Sequence, residues 1–145
     1  MIINFVVQKT IVRHSDGTYL ILRRSSTDVH KPLEWDLPGG LLDSGETLES
    51  GAMREIIEEI GSDIKFTDLQ PRYSQTHMTE IRGQKRNYFM IIYAARAEDK
   101  NVVLSHEHDL FEWINAADFI KRFATQPRYH TATRYIIDNR LDVLA

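Results

Sequence analysis

The chain has 145 residues, 42% hydrophobic and 27% charged, which suits one globular domain with a substantial core. A formal net charge of -3 excludes a global basic field for holding a long polyanion, though not a nucleotide. The absence of cysteine excludes disulfides, thiolate metal sites and cysteine nucleophiles, and no apolar run approaches the roughly 18 residues of a membrane span, so a cytoplasmic protein without a membrane partner is expected.

Ile2 to His14 alternates loosely, is rich in Ile and Val, and reads as a strand. Asp16-Gly17 is a hairpin turn signal, and Thr18 to Arg24 returns as a second strand. Ser25 to Glu34 is polar and irregular. Trp35-Asp36-Leu37 then leads into Pro38-Gly39-Gly40, a turn that lets backbone approach a ligand closely. A helix is predicted over Leu48 to Ile60, with Thr47 as N-cap and Gly61 as its stop. Strand signals follow around Ile64 to Leu69 and near Tyr73, then a charged turn from Glu80 to Asn87 about Gly83. Tyr88 to Ala97 is the strongest strand signal and is predicted to be central. Glu107 to Ile114 reads as a short strand or turn, Asn115 to Phe123 as a short helix capped by Asn115, and Tyr129 to Leu141 as a C-terminal helix. No repeat or linker divides residues 1–145, which read as a single α/β domain with a mixed sheet between helices.

The chemistry concentrates in Arg54-Glu55-Ile56-Ile57-Glu58-Glu59. On a helix, Glu55, Glu58 and Glu59 fall within an arc of roughly 100°. Leu48, Ala52, Met53, Ile56, Ile57 and Ile60 fill most of the remaining circumference, so the helix is expected to be packed. Glu55 and Glu59 form a like-charge pair four residues apart, unfavourable by roughly 0.2–0.5 kcal/mol. Clustered carboxylates suit hard divalent cations such as Mg²⁺ or Mn²⁺. The plainer alternative is a solvated acidic face with Arg54 pairing Glu58. The glycine turn in front of the helix favours a site.

Gly40, Glu46 and Arg54-Glu55-Ile56-Ile57-Glu58-Glu59-Ile60-Gly61 stand at the spacing of the Nudix box, so the chain resembles the Nudix (MutT-type) hydrolases. Only the last position departs, where Ser62 replaces a bulky aliphatic residue. The resemblance implies a Nudix α/β/α sandwich and a metal-dependent pyrophosphohydrolase. It implies Glu55, Glu58 and Glu59 as metal ligands, joined by the Gly40 carbonyl. Arg54 would orient a carboxylate, Glu46 or Glu55. The general base would be Glu55 or Glu107, the candidate for a late-loop glutamate that reaches the metals or acts as base; a plain surface-loop carboxylate is the alternative for Glu107.

Outside the box, alternation along the strand sends one of Arg23 and Arg24 toward the site, as a phosphate clamp, and the other to solvent. His106-Glu107-His108 cannot supply three ligands to one ion from a strand, and both histidines are expected at the surface. Arg82, Lys85 and Arg86 read as a solvated hairpin tip, with a leaving group or partner subunit as the alternative, so a homodimer stays open. Trp35, Tyr73, Phe89, Phe111 and Trp113 read as core, with a base-stacking residue among them as the alternative. Gly51, inside the helix, costs about 1 kcal/mol relative to Ala unless the neighbouring loop needs the room. The expected substrate is a nucleoside triphosphate, natural or oxidised, with no stable nucleic-acid partner. A nucleotide sugar, a dinucleoside polyphosphate, the 5′ end of RNA and a non-catalytic nucleotide sensor are the alternatives.

Overall fold

The computed structural model describes residues 1–143. One mixed sheet organises it. The long strand β1 (Ile2–His14) runs parallel to β6 (Gln84–Ala97) over its whole length, from Ile2↔Lys85 to His14↔Ala97. On its other edge β1 pairs with β4 (Gly39–Leu41) through Val7, Gln8 and Lys9, and with β2 (Tyr19–Arg24) at Arg13↔Tyr19. β2 carries β3 (Trp35–Asp36) and β7 (His108–Ile114), while β5 (Phe66–Ile81) closes the far edge against β6.

Strand alternation sorts the core into two layers. Ile11, Tyr19, Ile21 and Ile92 meet Phe119 of α2 (Ala116–Arg122) and Tyr129 and Ile136 of α3 (Pro127–Asp138). Val12, Leu20, Leu22 and Ala97 face the other way, onto Ile56 and Ile60 of α1 (Leu48–Ile60). The result is the expected α/β/α sandwich. Full burial of Ile56 and Ile60, about 1.5–3 kcal/mol each, fixes the rotation of α1 and so aims its carboxylates. Leu48 and Ile57 of this helix are exposed, against expectation, and Glu59 is buried in their stead. Among the described residues no helix is long and apolar enough to cross a membrane.

The helix ends follow the caps. Thr47 Oγ1 accepts from Ser50 N at 3.1 Å, and Asn115 Oδ1 accepts from Asp118 N at 2.9 Å. Gly61, at φ 89°, ends α1 with its N–H on Ile57 O. Ser62 is exposed, and the packing role passes to the buried Ile64. Other boundaries shift. The two strand signals after α1 are one strand, β5, interrupted by register shifts where Asp68 adopts φ 59° and Pro71 lacks an N–H. The charged turn shrinks to Arg82-Gly83, because the flanking pair Glu80↔Lys85 is oppositely charged and extends the hairpin. The last helix starts at Pro127, whose fixed φ suits a first turn, and ends at Asp138.

Candidate active site

The glycine turn and α1 are built against each other. Gly39 has φ 138°, and a Cβ there would overlap the Gln8 carbonyl oxygen across the β1–β4 pairing. Its N–H donates to Glu59 Oε2 at 2.8 Å, and its carbonyl accepts from Lys9 Nζ at 3.0 Å. A Cβ on Gly40 would stand 2.7 Å from Glu55 Oε2, so only glycine lets that carboxylate rest on the turn. Gly51 serves the same end on the opposite side: Leu42, Gln8 and Glu46 of the surroundings close over its missing side chain. The room that the loop needs accounts for glycine in mid-helix.

Arg54 gathers the remaining carboxylates. Its Nε and Nη2 hold Glu46 at 2.7 and 2.8 Å, and its Nη1 reaches Glu55 at 3.1 Å and Glu58 at 3.2 Å. Both expected partners, Glu46 and Glu55, are therefore engaged, with Glu46 held through two bonds. Arg54 keeps the Glu46 carboxyl well below the usual carboxylate range. Glu58 is half exposed with Arg54 as its described partner, and it is not among the residues that line the cavity above the cluster.

Glu59 is only 4% exposed, and desolvation raises its pKa from 4.5 to about 8 against the opposing pull of Lys9. Burial also raises Glu55, with Arg54 pulling the other way. A cavity of about 450 Å³ opens above them, lined by Glu55, Glu59, Gly40 and Glu107 together with Lys9 and Arg24. Arg24 is the inward member of its pair: it binds Asp28 at 2.6 Å and Asp36 at 3.2 Å. Arg23 points away, to Asp109 at 3.0 Å.

Beneath the cavity lies a polar layer that sequence reasoning missed. Asp36, 1% exposed, accepts from Lys9 Nζ at 3.2 Å, Arg24 Nη1 at 3.2 Å and Tyr129 Oη at 2.9 Å. Burial alone would raise Asp36, but Lys9, His108 and Arg24 outweigh it and hold the carboxyl ionised. Burial alone would lower Lys9, yet Asp36, Tyr129 and Glu59 outweigh that and raise it. The available signal was Lys9 itself, a charged residue in the middle of a core strand, which buried pairing alone makes tolerable.

His108 corrects the expectation of two surface histidines. His106 is exposed, but His108 is buried, with Nε2 3.2 Å from Asp36 Oδ2 and Nδ1 without a partner among the described residues. Ligand atoms of Glu59, Glu107 and His108 all lie within 4.8 Å of one another. Neighbours in sequence reach the same place because Glu107 lies in the turn before β7, where pairing with β2 shifts register between Arg23 and Arg24. Arg86 corrects a second expectation: it is half-buried on β6 rather than solvated at a hairpin tip. Of the aromatics, Trp35, Tyr73, Phe111 and Trp113 pack against the core as expected, whereas Phe89 is 40% exposed.

Two carboxylates and an imidazole whose other nitrogen is held by a carboxylate form a donor set that fits a divalent cation. The orphaned Nδ1 is the observation that favours this fit over a purely structural cluster.

Comparison with known proteins agrees with this geometry. The NUDIX domain family model matches residues 6–135. Nucleoside triphosphatase NudI of Escherichia coli O139:H28 is 30% identical over 124 residues, covering 78% of this chain and 86% of the relative. The crystal structure of the MutT protein from Methanosarcina mazei Go1 superposes with a TM-score of 0.68 at 25% identity, over 95% of each chain. The C. elegans Ap4A hydrolase shares the fold, with a TM-score of 0.66 at 23% identity over 96% of this chain and 98% of that one. The chain belongs to the Nudix family and is a Nudix hydrolase.

Proposed function

We propose that this chain cleaves a nucleoside triphosphate to the monophosphate and pyrophosphate with Mg²⁺ or Mn²⁺ bound. One observation carries the reading: buried and half-buried carboxylates share a single cavity with the Arg24 guanidinium. Carboxylates without a phosphate-binding cation would suit only the metal, and cations alone only the anion. The two together suit a metal-bound polyphosphate. The name of the E. coli relative, a nucleoside triphosphatase, supports the choice among nucleotides.

Glu55, Glu58, Glu59 and the Gly40 carbonyl are the proposed ligand set, with Glu107 and His108 beside Glu59. The bound cation would neutralise phosphate charge and lower the pKa of a bound water. Arg24 meets the phosphate chain at the cavity rim and orients it. Glu55 or Glu107 accepts the proton of the attacking water as the phosphoric anhydride bond breaks, since both line the cavity. Lys9 and Asp36 are positioning residues: they hold the carbonyls of Leu37 and Gly39 and the ring of His108. Arg54 positions Glu46 and Glu55. With a net charge of -3, free nucleotides in the cytoplasm are the proposed substrates rather than nucleic acid.

The test is product analysis over a nucleotide panel with Mg²⁺ or Mn²⁺. Triphosphates should yield monophosphate and pyrophosphate. Turnover confined to nucleotide sugars or dinucleoside polyphosphates would replace the substrate, and binding without turnover of any member would replace the enzyme by a sensor.

A further inference from the structure

Beside the carboxylate cavity lies a second, more enclosed one of about 480 Å³, within the range of small-ligand pockets. The two share Val7 and Arg128, so one ligand can reach from one to the other. The second cavity is walled by the face of the sheet that carries α3 further along. Val7 pairs Met90, Thr79 pairs Arg86 and His77 pairs Tyr88, so these side chains share that face.

Two residues that line this cavity, Thr79 and Arg86, each carry a polar atom that is shielded from solvent and has no partner among the described residues, Oγ1 and Nε. The Arg86 guanidinium lies over the Phe5 ring at 5.8 Å, and Phe5 stacks on Tyr88 at 5.2 Å. Arg86 thus has an aromatic contact, and no carboxylate among the described residues lines the cavity. A buried donor left unpaired is costly, and it is tolerated where a ligand supplies the acceptor.

Building on the nucleotide reading above, we infer that this cavity holds the base, and that Arg86 and Thr79 select a base with a carbonyl at the pyrimidine 4 or purine 6 position over its amino counterpart. The carbonyl bases are uracil, thymine, guanine and hypoxanthine; adenine and cytosine are the amino ones. Arginine is donor-only, whereas a threonine hydroxyl both donates and accepts. A carbonyl base presents C=O beside a ring N–H. Arg86 donates to the first and Thr79 accepts from the second. An amino base presents NH₂ beside a bare ring nitrogen, which sets donor against donor at Arg86. The flat ring lies along Tyr88 and Met90.

Inosine and adenosine nucleotides, and uridine and cytidine nucleotides, are near-isosteric pairs that differ in this edge. The triphosphates are compared by kcat/KM with metal, and the monophosphates by equilibrium binding in chelator. The wild type should favour the carbonyl member of each pair by at least about tenfold in both measurements. Arg86→Met keeps length and contact with Phe5 without donors, and should bring both ratios within about threefold. Thr79→Val is the second variant, should Arg86→Met fail to fold, and should narrow the ratios in the same direction. Preferential binding of inosine and uridine monophosphates with no triphosphate turnover would remove the hydrolysis reading and keep the base site. Equal use of both members, a preference for the amino bases, or a preference that survives both variants overturns the inference.

Discussion

Glu59 is the residue on which stability and activity pull in opposite directions. Desolvation raises its pKa from 4.5 to about 8 in the folded state, whereas the unfolded chain releases that proton near the ordinary value. The folded state therefore binds more protons through this interval, and the Glu59 contribution to stability falls as pH rises from about 5 through about 8. Thermal melts in chelator should show this decline, and Glu59→Gln should flatten it and melt higher at the alkaline end. An unchanged pH slope in the variant would remove the buried-carboxylate account. Glu58 offers a contrast. Its exposed pairing with Arg54 is worth only about 0–1 kcal/mol, so a cation can draw it away cheaply. Glu58→Gln should lower kcat at least about 10²-fold, roughly 2.7 kcal/mol of transition-state stabilisation, with the melt held or slightly improved. Glu107→Gln should lower it more than about tenfold, because Glu107 stands with Glu59 and His108. A Glu107 variant within about threefold of wild type would return Glu107 to a loop carboxylate. At this scale the box residues were legible because their spacing is local. His108 and Asp36 were not, because only the fold brings residues 72 positions apart into contact.

Among the elements, the pairing of β4 with α1 makes the sharpest prediction. Gly39 and Gly40 are adjacent yet fail differently. A side chain on Gly39 meets β1 backbone at a positive φ, so Gly39→Ala should part β4 from β1 and cost at least about 1–3 kcal/mol. The atoms nearest to a side chain on Gly40 are those of the Glu55 carboxylate, the end of a flexible side chain. Gly40→Ala should therefore melt near the wild type and lose at least about tenfold in kcat. Paired melts and kinetics read the difference; equal loss of stability in both would contradict it. The helix α1 was legible to the residue, since apolar spacing, the Thr47 cap and the Gly61 stop agree. The β5–β6 hairpin was not. Pro71 and Asp68 break its pattern, and Lys85 and Arg86 look like a solvated turn until cross-strand pairing with β5 and the aromatic floor of Phe5 are seen. The start of α3 was misjudged because Pro127 ends most patterns but opens a helix at its first turn.

For the whole molecule, the class of fold was readable because alternation along β1 and β2 writes both faces of a covered sheet into the sequence. Ile11 and Val12 go to opposite layers, as do Tyr19 and Leu20. The cavity was less readable, since Lys9, Arg24, Glu59, Glu107 and Tyr129 come from five separate elements or loops with no common period. We propose that the sandwich holds Glu59 dehydrated among further carboxylates so that a divalent cation, and not the bare protein, completes the site. Cation binding to the folded state alone should also stabilise it, by about 2.7 kcal/mol at 100 times the dissociation constant. The most direct measurement is the rate of triphosphate hydrolysis as free Mg²⁺ is raised from excess chelator. We predict no turnover in chelator and a saturable return of activity with the cation. Full turnover in excess chelator would contradict the account.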